Sequence, residues 1–448
     1  MDSHKAYFKD KKITLMGLGL LGRGLGDAKF LAECGADLLV TDIKGKEELK
    51  DSFLPLKRFS NIKFVLGKHR LQDFRRRDLI IKSAGIPLDS AYLKEADKTG
   101  VSVKMSTALF VKLSKTKTIG VTGTKGKSST THLIENILKT AGKKFFLGGN
   151  VRGLATLPLL KEAKEGDLVL MELDSWQLQG FGYDKISPNI SVFTNLMNDH
   201  MNYYKNDVRQ YLDDKANIFK YQSEEDFLIT SPEVKKIIDE RFQGKIKSRI
   251  ILTGVRDVPD DWNPIIFGEH NKESIAFAIK VGEILGIDKE IIKKGVEQFE
   301  GVPARLELVG EAGGVKYYND TTATITDAAI AALKAIQANT EKSPKIVLLA
   351  GGSDKNLEFE KFVEEMAGRV KKLILFEGHA TNKIVSLLAP GWFDFVVVSN
   401  MPQAFEEAQK AAKKGDIVLL SPGATSFGIF KNEFDRGDQF VDLVNSLK

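Results

Sequence analysis

The feature that most constrains the fold of this 448-residue chain is the regular alternation of short apolar runs with longer amphipathic ones. The short runs have the length of β-strands, whereas the longer runs repeat their apolar residues with helical spacing. Strands that alternate with helices of this length form βαβ units with mainly parallel sheets. The pattern therefore predicts an α/β protein. The predicted strands are 13–17, 38–41, 79–82, 118–122, 168–172, 191–195, 346–350, 373–376, 395–399 and 417–420, and the predicted helices are 133–141, 275–285, 325–335, 359–369 and 403–413.

Two changes in composition predict the domain boundaries. Residues 112–117 are rich in Lys, Ser and Thr and precede a new strand, and Gly301-Val302-Pro303 precedes the last third of the chain. These breaks predict three domains, at 1–113, 114–302 and 303–448. The number agrees with a prior of one domain per roughly 150 residues.

Composition limits the class of protein. Hydrophobic residues make up 42% and charged residues 28%, as in ordinary soluble domains. Cys34 is the only cysteine, so no intramolecular disulfide can form, and we expect a packed thiol in a reducing compartment. No apolar run reaches the ~20 residues of a membrane helix, and the N-terminus lacks an apolar signal core. We therefore expect a cytoplasmic protein without membrane insertion.

The net charge of +6 is dispersed, and the basic cluster 75–77 is interpreted as a solvated loop.

A glycine-rich turn lies near the N-terminus. Gly17, Gly19 and Gly22 have G-x-G-x-x-G spacing, follow a predicted strand and precede a helix. Such a turn lets a pyrophosphate lie on the helix N-terminus, and Asp42 ends the next strand, where an acid usually contacts ribose hydroxyls. NAD, another nucleotide diphosphate and a purely structural turn all remain open. A second glycine turn, 82–87, follows another strand end, where ligands of open α/β sheets bind.

The segment 123–128, of sequence GTKGKS, lies between a predicted strand and a predicted helix. The backbone amides of such a P-loop cradle phosphates, Lys127 would reach the β- and γ-phosphates, and Ser128 would bind Mg²⁺. A triphosphate site argues against a simple dehydrogenase, because hydride transfer does not use one.

Two further groups follow strand ends at the same predicted sheet edge. Glu172 ends strand 168–172, and His200 follows strand 191–195, directly after Asp199. With the Ser128 hydroxyl they predict a magnesium site, since Mg²⁺ prefers oxygen ligands and completes its shell with phosphates. Lys215, on a predicted helix beside two acids, has the pattern of an exposed lysine.

These motifs belong to a longer series that resembles the Mur ligases. The series continues with ELDSWQL at 172–178, NDH at 198–200, GEHN at 268–271, GVPARLE at 301–307, YNDTTAT at 318–324, LSPGATS at 420–426 and FDRG at 434–437. It covers essentially the whole chain in order. The resemblance implies an N-terminal Rossmann-like UDP-binding domain, a central P-loop ATPase domain and a C-terminal Rossmann-like amino-acid-binding domain, in a monomer that binds no nucleic acid.

The resemblance also implies an activity. It is the ATP-dependent addition of D-glutamate to UDP-N-acetylmuramoyl-L-alanine through an acyl phosphate, a step of peptidoglycan precursor synthesis. ATP would contact Gly123, Thr124, Lys125, Gly126, Lys127, Ser128, Ser129, Asn271, Arg305 and Asp320. The UDP-linked substrate would contact Leu20, Leu21, Asp42, Ile43, Lys44, Ser83, Gly85 and Asn150. The amino acid would contact Thr324, Lys355 and Ser426. Mg²⁺ would be bound by Ser128, Glu172, His200 and a carbamylated Lys215, and the catalytic groups would be Lys127, His200, Lys215 and Arg305.

Departures from the family pattern leave the incoming amino acid open. Thr322 stands where the family usually has a lysine, and Glu433 aligns with a pocket phenylalanine. A related ligase that uses another amino acid, such as L-glutamate, is therefore the first alternative. An NAD-dependent dehydrogenase would leave the P-loop unused, and a folylpolyglutamate-type ligase is not expected to have the N-terminal glycine turn. A non-enzymatic regulator would not need Glu172, His200 and Lys215 together.

Overall fold

A computed structural model of the chain describes residues 3–197, 199, 203–266, 269–338, 345–354, 357–389, 391 and 394–447. The chain divides into two compact units. One consists of Met1–Trp262 with Glu269–Glu297, and the other of Asn263–Gly268 with Gln298–Lys448. The first unit contains an N-terminal and a middle sheet, and the second contains a C-terminal sheet. The predicted boundaries at residues 113 and 302 stay predictions.

The N-terminal sheet is parallel and has the strand order β3-β2-β1-β4-β5. Its three central strands are mainly apolar and almost fully buried, as expected when helices cover both faces of a sheet. Cys34 is buried in the core beside it, which confirms the prediction of a packed thiol. The strands are β1 Lys12–Met16, β2 Asp37–Asp42, β3 Ile62–Leu66, β4 Leu79–Lys82 and β5 Val103–Lys104, and the helices are α1 Ser3–Phe8, α2 Arg23–Glu33, α3 Lys50–Phe53, α4 Ala91–Lys98 and α5 Ser106–Ser114.

The middle sheet is also parallel, with the order β11-β10-β9-β6-β8-β7. Strands β6, β8 and β9 are adjacent at its centre, so their carboxyl ends bring three separate loops to one edge. The strands are β6 Lys117–Thr122, β7 Phe145–Gly149, β8 Leu168–Glu172, β9 Ile190–Phe193, β10 Phe227–Thr230 and β11 Arg249–Leu252. The helices are α6 Lys127–Thr140, α7 Ser175–Asp184, α8 Val208–Ala216, α9 Pro232–Phe242, α10 Glu269–Ile284 and α11 Lys289–Glu297.

The C-terminal sheet, of order β12-β13-β17-β14-β15-β16, is parallel except for the hairpin β12–β13. Gly313 and Gly314 form the hairpin loop and both have positive φ, which suits the tight turn between paired strands. The sequence patterns did not predict this hairpin. The strands are β12 Glu307–Ala312, β13 Val315–Asn319, β14 Ile346–Gly351, β15 Val370–Phe376, β16 Asp394–Val398 and β17 Ile417–Leu420, and the helices are α12 Thr326–Ala338, α13 Glu360–Met366, α14 His379–Leu387, α15 Met401–Ala411 and α16 Glu433–Asn445.

The N-terminal and middle sheets share one hydrophobic core. Phe110 of α5 and Phe181 of α7 belong to the same buried cluster. Beside it, the buried carboxylate of Asp184 accepts hydrogen bonds from Lys104 Nζ at 2.6 Å and Lys112 Nζ at 2.9 Å. These contacts hold the two sheets together within the first unit.

A second polar contact connects helices α2 and α5. The Asp27 carboxylate of α2 accepts a hydrogen bond from the Ser106 hydroxyl of α5. Burial raises the pKa of the Asp27 carboxyl from 3.8 to about 7, and the Ser106 hydrogen bond partly offsets that rise. Between these two pH values the folded chain retains a proton that the unfolded chain has lost. The free energy of unfolding must therefore fall as pH rises through this window.

We expect Asp27→Asn to remove this pH dependence, because an amide has no proton to lose in this range. The melting temperature of Asp27→Asn minus that of the parent should be higher at about pH 8 than at about pH 5. The matched control is Asp97→Asn, at an exposed position of α4. An equal difference at both pH values would contradict the assignment of Asp27.

Candidate functional site

The loop between β6 and α6 has the backbone form of a phosphate-binding loop. Gly126 has φ 80° and caps α6, which begins at Lys127. Gly123 has φ 148° and lies so close to the Thr194 hydroxyl that an added Cβ would collide with it. Lys127 Nζ donates to the carbonyl oxygens of Gly123 and Thr124, each at 3.0 Å. Glycines at these positions followed by a helix N-terminus form a concave set of amides that suits an anion.

The segment after β9 is hydrogen-bonded along this loop. Asn195 Oδ1 accepts from the Lys125 amide at 2.8 Å, and the Thr124 amide donates to the Asn195 carbonyl at 3.0 Å. The Met197 amide donates to the Thr124 hydroxyl at 2.9 Å. The chain that leads to Asp199 therefore runs beside the P-loop. His200 lies outside the described residues.

Glu172 lies at the same sheet edge, because it is the last residue of β8 and pairs in register with Val121 of β6. Its side chain is buried. Asn150, which follows β7, donates from its backbone amide to the Glu172 carbonyl at 2.7 Å and from Nδ2 to Glu172 Oε1 at 3.4 Å. Arg23 Nη1 donates to Asn150 Oδ1 at 2.7 Å. Arg23, the first residue of helix α2, is thus linked to Glu172 through the Asn150 side chain.

Lys215 of α8 is 1% exposed, so the expectation of an exposed lysine from its sequence pattern is wrong. The pattern failed because α8 packs its lysine-bearing face under the P-loop. Lys215 Nζ donates to the Gly123 carbonyl at 2.7 Å. Burial lowers the pKa of Lys215 well below its usual value, and the nearby charge of Lys127 lowers it further. The shift favours the neutral amine more than in an exposed lysine.

The N-terminal glycine turn is shaped by an acid. Asp42 Oδ2 accepts hydrogen bonds from the amides of Leu18 at 2.8 Å and Gly19 at 3.0 Å, and Oδ1 accepts from the Lys44 amide at 2.9 Å. Asp42 therefore fixes both its own turn and the glycine turn. Its contact with a ligand stays a prediction, as do those of the exposed Leu20 and Ile43 and of Leu21.

The second glycine turn is tied to the first. Ser83 Oγ donates to the Gly17 carbonyl at 2.6 Å. Lys82 is buried, and its Nζ donates to the Ile86 carbonyl at 3.0 Å within the turn that contains Gly85. Burial lowers the pKa of Lys82 to about 8. The predicted UDP-binding residues Ser83 and Gly85 thus lie on a turn that the buried Lys82 side chain stabilises. The sequence patterns assigned no role to Lys82.

The basic cluster 75–77 is only partly the solvated loop expected from the sequence. Arg75 is exposed and pairs with Glu95 at 2.6 Å. Arg77 is half-buried instead, and its Nη2 donates to the carbonyls of Ile13 at 2.6 Å and Asp37 at 3.0 Å. Arg77 therefore joins β1 to β2, which accounts for its charge without a ligand.

Arg305 lies on a strained turn of the second unit. Its neighbours Ala304 and Leu306 both have positive φ, of 65° and 46°. Glu307 Oε2 accepts from the Ala304 amide at 2.7 Å, and the Thr322 hydroxyl donates to the Ala304 carbonyl at 2.9 Å. Left-handed backbone at two non-glycine residues is costly and needs such support. Thr322, the departure from the family pattern, thus has a structural role beside Arg305.

Asp320 is buried at the end of β13 and accepts a hydrogen bond from the Ser421 hydroxyl at 2.7 Å. Burial raises its carboxyl pKa to about 7, although the Ser421 hydrogen bond opposes the rise. The buried Arg436 of α16 donates to the Thr321 carbonyl at 2.9 Å and to the Ala424 carbonyl at 3.3 Å. It therefore holds together the two loops that carry Thr324 and Ser426, two of the three predicted amino-acid contacts.

The other predicted residues lie on loops or helices, and Asn271 lies on a helix that begins earlier than the predicted 275–285. Thr324 is half-buried in the loop before α12, and Ser426 is buried in the loop after β17. Asn271 lies on α10, one turn from Ser274, whose hydroxyl is close to the P-loop glycine Gly126. Ser128 and Ser129 are half-buried in the first turn of α6. Lys355, like His200, lies outside the described residues.

Sequence reasoning assigned no role to Arg23, Lys82 or Arg436. Arg436 stood inside the FDRG motif, which was its only signal. Arg23 and Lys82 each follow or precede a glycine turn, but their partners depend on tertiary packing, and Asn150 is 127 residues from Arg23 in sequence.

Within the described part of the chain, no group of three or more His, Cys, Asp or Glu side chains could hold a metal ion. The donors at the P-loop edge, the Ser128 hydroxyl and the Glu172 carboxylate, are nevertheless of the type that suits Mg²⁺. Mg²⁺ usually takes only one or two protein carboxylates and completes its shell with phosphates and water. In the same described ranges, no helix is long and apolar enough to cross a membrane.

Comparison with known proteins assigns three long segments of the chain to the same family. The N-terminal domain of MurD-like Mur ligases matches residues 11–105, the Mur ligase middle domain matches 121–292, and the Mur ligase glutamate ligase domain matches 304–423. The chain is 35% identical to UDP-N-acetylmuramoylalanine–D-glutamate ligase of Roseiflexus sp. (strain RS-1), over 98% of this chain and 99% of the relative. It is 34% identical to the ligase of the same name from Borreliella burgdorferi (strain ZS7), over 98% of each chain.

Solved structures show the same fold. The UDP-N-acetylmuramate-alanine ligase MurC from Thermotoga maritima aligns with a TM-score of 0.62 at 20% identity, over 98% of this chain and all of that one. The MurF ligase from Thermotoga maritima, in complex with ADP, aligns with a TM-score of 0.56 at 14% identity, over 99% and 96% of the two chains. Because its three matched domains and its full-length relatives are those of Mur ligases, the chain belongs to the Mur ligase family.

Proposed function

We propose that this chain is an ATP-dependent ligase that joins D-glutamate to UDP-N-acetylmuramoyl-L-alanine and releases ADP and phosphate. The observation that carries the proposal is the sheet edge where the P-loop lysine Lys127, the buried acid Glu172 and the buried Lys215 meet. Relatives named for this reaction align over 98% of the chain, which supports the choice of substrates.

ATP would lie with its phosphates on the loop 123–129. Lys127, which already points into the loop through its bonds to Gly123 and Thr124, would balance the charge of the transferred phosphate. Asn271, Arg305 and Asp320 are the further proposed ATP contacts. Glu307 and Thr322 bind the backbone of Ala304 and so fix the turn that carries Arg305, which supports its proposed role.

Mg²⁺ would be held by Ser128, Glu172, His200 and a carbamate on Lys215. When bound it supplies positive charge beside the phosphates, which lowers the cost of bringing a carboxylate to them. The neutral Lys215 amine would form the carbamate by attacking the carbon of CO₂ and losing a proton. An ammonium cannot bind a cation, whereas a carbamate offers carboxylate-like oxygens.

The reaction would proceed in two steps. A carboxylate oxygen of the alanyl group attacks the γ-phosphorus, the bond to the ADP oxygen breaks, and an acyl phosphate forms. The neutral amine of the amino acid then attacks the acyl carbon, phosphate leaves, and the amine proton passes to a base. Asp199 is the candidate for that base, because a His200 imidazole that binds Mg²⁺ has no lone pair left to accept a proton. Lys127 and Arg305 would stabilise the negative charge that develops on the phosphoryl oxygens.

The UDP-linked substrate would lie along the carboxyl edge of the N-terminal sheet. Asp42 accepts hydrogen bonds from the amides of Leu18 and Gly19, the first amides of the glycine turn. The diphosphate is therefore proposed to lie at the later positions, Leu20 and Leu21. Ile43, Lys44, Ser83 and Gly85 would surround the nucleoside, and Asn150 would contact the muramoyl group.

The incoming amino acid would contact Thr324, Lys355 and Ser426. L-glutamate remains the second candidate, because the family lysine is replaced by Thr322, whose hydroxyl is used within the Arg305 turn.

A panel assay decides between these candidates. The chain, ATP, Mg²⁺ and UDP-N-acetylmuramoyl-L-alanine are mixed with single D- or L-amino acids, and phosphate release and the ligated product are measured. We expect product with D-glutamate and at least about tenfold less with L-glutamate, which corresponds to about 1.4 kcal/mol of discrimination. Product with L-glutamate alone would change the amino-acid assignment, and no product with any acidic amino acid would overturn the proposed function.

A further inference from the structure

Asn150 lies between two charged groups, Arg23 at the start of helix α2 and Glu172 at the end of strand β8. Its Oδ1 accepts from Arg23 Nη1 at 2.7 Å, and its Nδ2 donates to Glu172 Oε1 at 3.4 Å. Arg23 is the first residue of α2 and directly follows Gly22, the last glycine of the N-terminal turn. At the same place Gly22 packs near Gly153 of the middle domain, so the two backbones are close.

The chemistry of the two partners fixes the direction of the amide. A guanidinium has only donors, and a carboxylate has only acceptors. The carboxamide oxygen must therefore face Arg23 and the NH₂ group must face Glu172. Without Arg23 the amide could rotate by half a turn, and its oxygen would then lie against the Glu172 carboxylate.

Resting on the function proposed above, we infer that Arg23 is a positioning residue for the sugar-nucleotide substrate. It holds the Asn150 amide in the orientation in which the oxygen faces Arg23 and the NH₂ group faces Glu172. Through Asn150 it also connects the N-terminal glycine turn to Glu172, the acid beside the P-loop. The guanidinium acts through Asn150 and needs no contact of its own with the reacting atoms. Arg23 also lies near the Asp27 carboxyl, so its removal must be separated from a change in stability.

The expected effect is on binding of one substrate. Arg23→Leu should weaken binding of UDP-N-acetylmuramoyl-L-alanine about tenfold, measured by calorimetry without ATP, while the KM for ATP changes less than about twofold. Arg23→Lys, which keeps a donor, should recover part of the affinity. Lys29→Leu is the matched control, because it removes a positive charge from an exposed position of the same helix. It should bind the substrate like the parent, and all variants should unfold cooperatively.

A double-mutant cycle with Asn150→Ala tests whether Arg23 acts through Asn150. The double variant should bind the substrate as weakly as Asn150→Ala alone, because Arg23 then has no amide to orient. Additive losses, or unchanged binding by Arg23→Leu when the parent binds, would overturn this inference and leave the proposed function standing. Absence of binding by the parent chain would overturn both.

Discussion

Lys127→Ala is expected to lower kcat by roughly 10³-fold or more, because it removes the positive charge that faces the transferred phosphate. The Lys127 ammonium donates to two carbonyls of its own loop, so it is placed before any ligand arrives. The side chain is only half-buried, and its removal should change the melting temperature little. Steady-state phosphate release with saturating substrates measures the effect.

Lys139→Ala is the matched control for that loss of charge. Lys139 lies in the last turn of the same helix, and its side chain is 62% exposed. We expect it to turn over like the parent. If Lys127→Ala retains more than about a tenth of the parent kcat while it stays folded, the P-loop is not the site of phosphoryl transfer.

Lys215→Met is expected to lower kcat by about 10²- to 10³-fold, since methionine fills the buried space but cannot carry a carbamate. The lowered pKa of Lys215 favours its neutral amine, which is the form that reacts with CO₂. Folded parent protein in ¹³C-bicarbonate should show a carbamate carbon signal, and Lys215→Met should not.

Lys220→Met provides the comparison for this variant, because Lys220 is half-buried just beyond the end of α8 and its Nζ donates to the Asp213 carbonyl. It should keep both the carbamate signal and the activity. A carbamate signal that persists in Lys215→Met, or full activity of that variant, would remove Lys215 from the site.

Much of the fold could be predicted from the sequence because parallel strands buried on both faces leave a continuous apolar run. β14 is buried along its whole length and was predicted within one residue. The hairpin β12–β13 was missed because its strands are half-exposed and carry glycine and charged residues, so no apolar run marks them. Five further strands, β3, β5, β7, β10 and β11, were also missing from the predicted set. Four of them are partly exposed edge strands, whereas β10 is a buried run of only four residues.

The site was predictable where function depends on local spacing. The glycines of the P-loop adopt positive φ and lie next to Lys127 in sequence, so a short motif describes them. Lys215 could be placed only through the family resemblance, because its burial depends on how α8 packs against β6. Arg23 and Asn150 share no local pattern, and only the packing of the N-terminal domain on the middle domain brings them together.

The central chemical claim is that the alanyl carboxylate is phosphorylated by ATP before the amino acid attacks it. It is tested most directly with UDP-N-acetylmuramoyl-L-alanine labelled with ¹⁸O at both oxygens of its terminal carboxylate, followed by mass analysis of the released phosphate. An acyl phosphate transfers one carboxylate oxygen to phosphate, so we expect phosphate with a single ¹⁸O for each product formed. Product accompanied by phosphate without ¹⁸O would contradict the acyl phosphate.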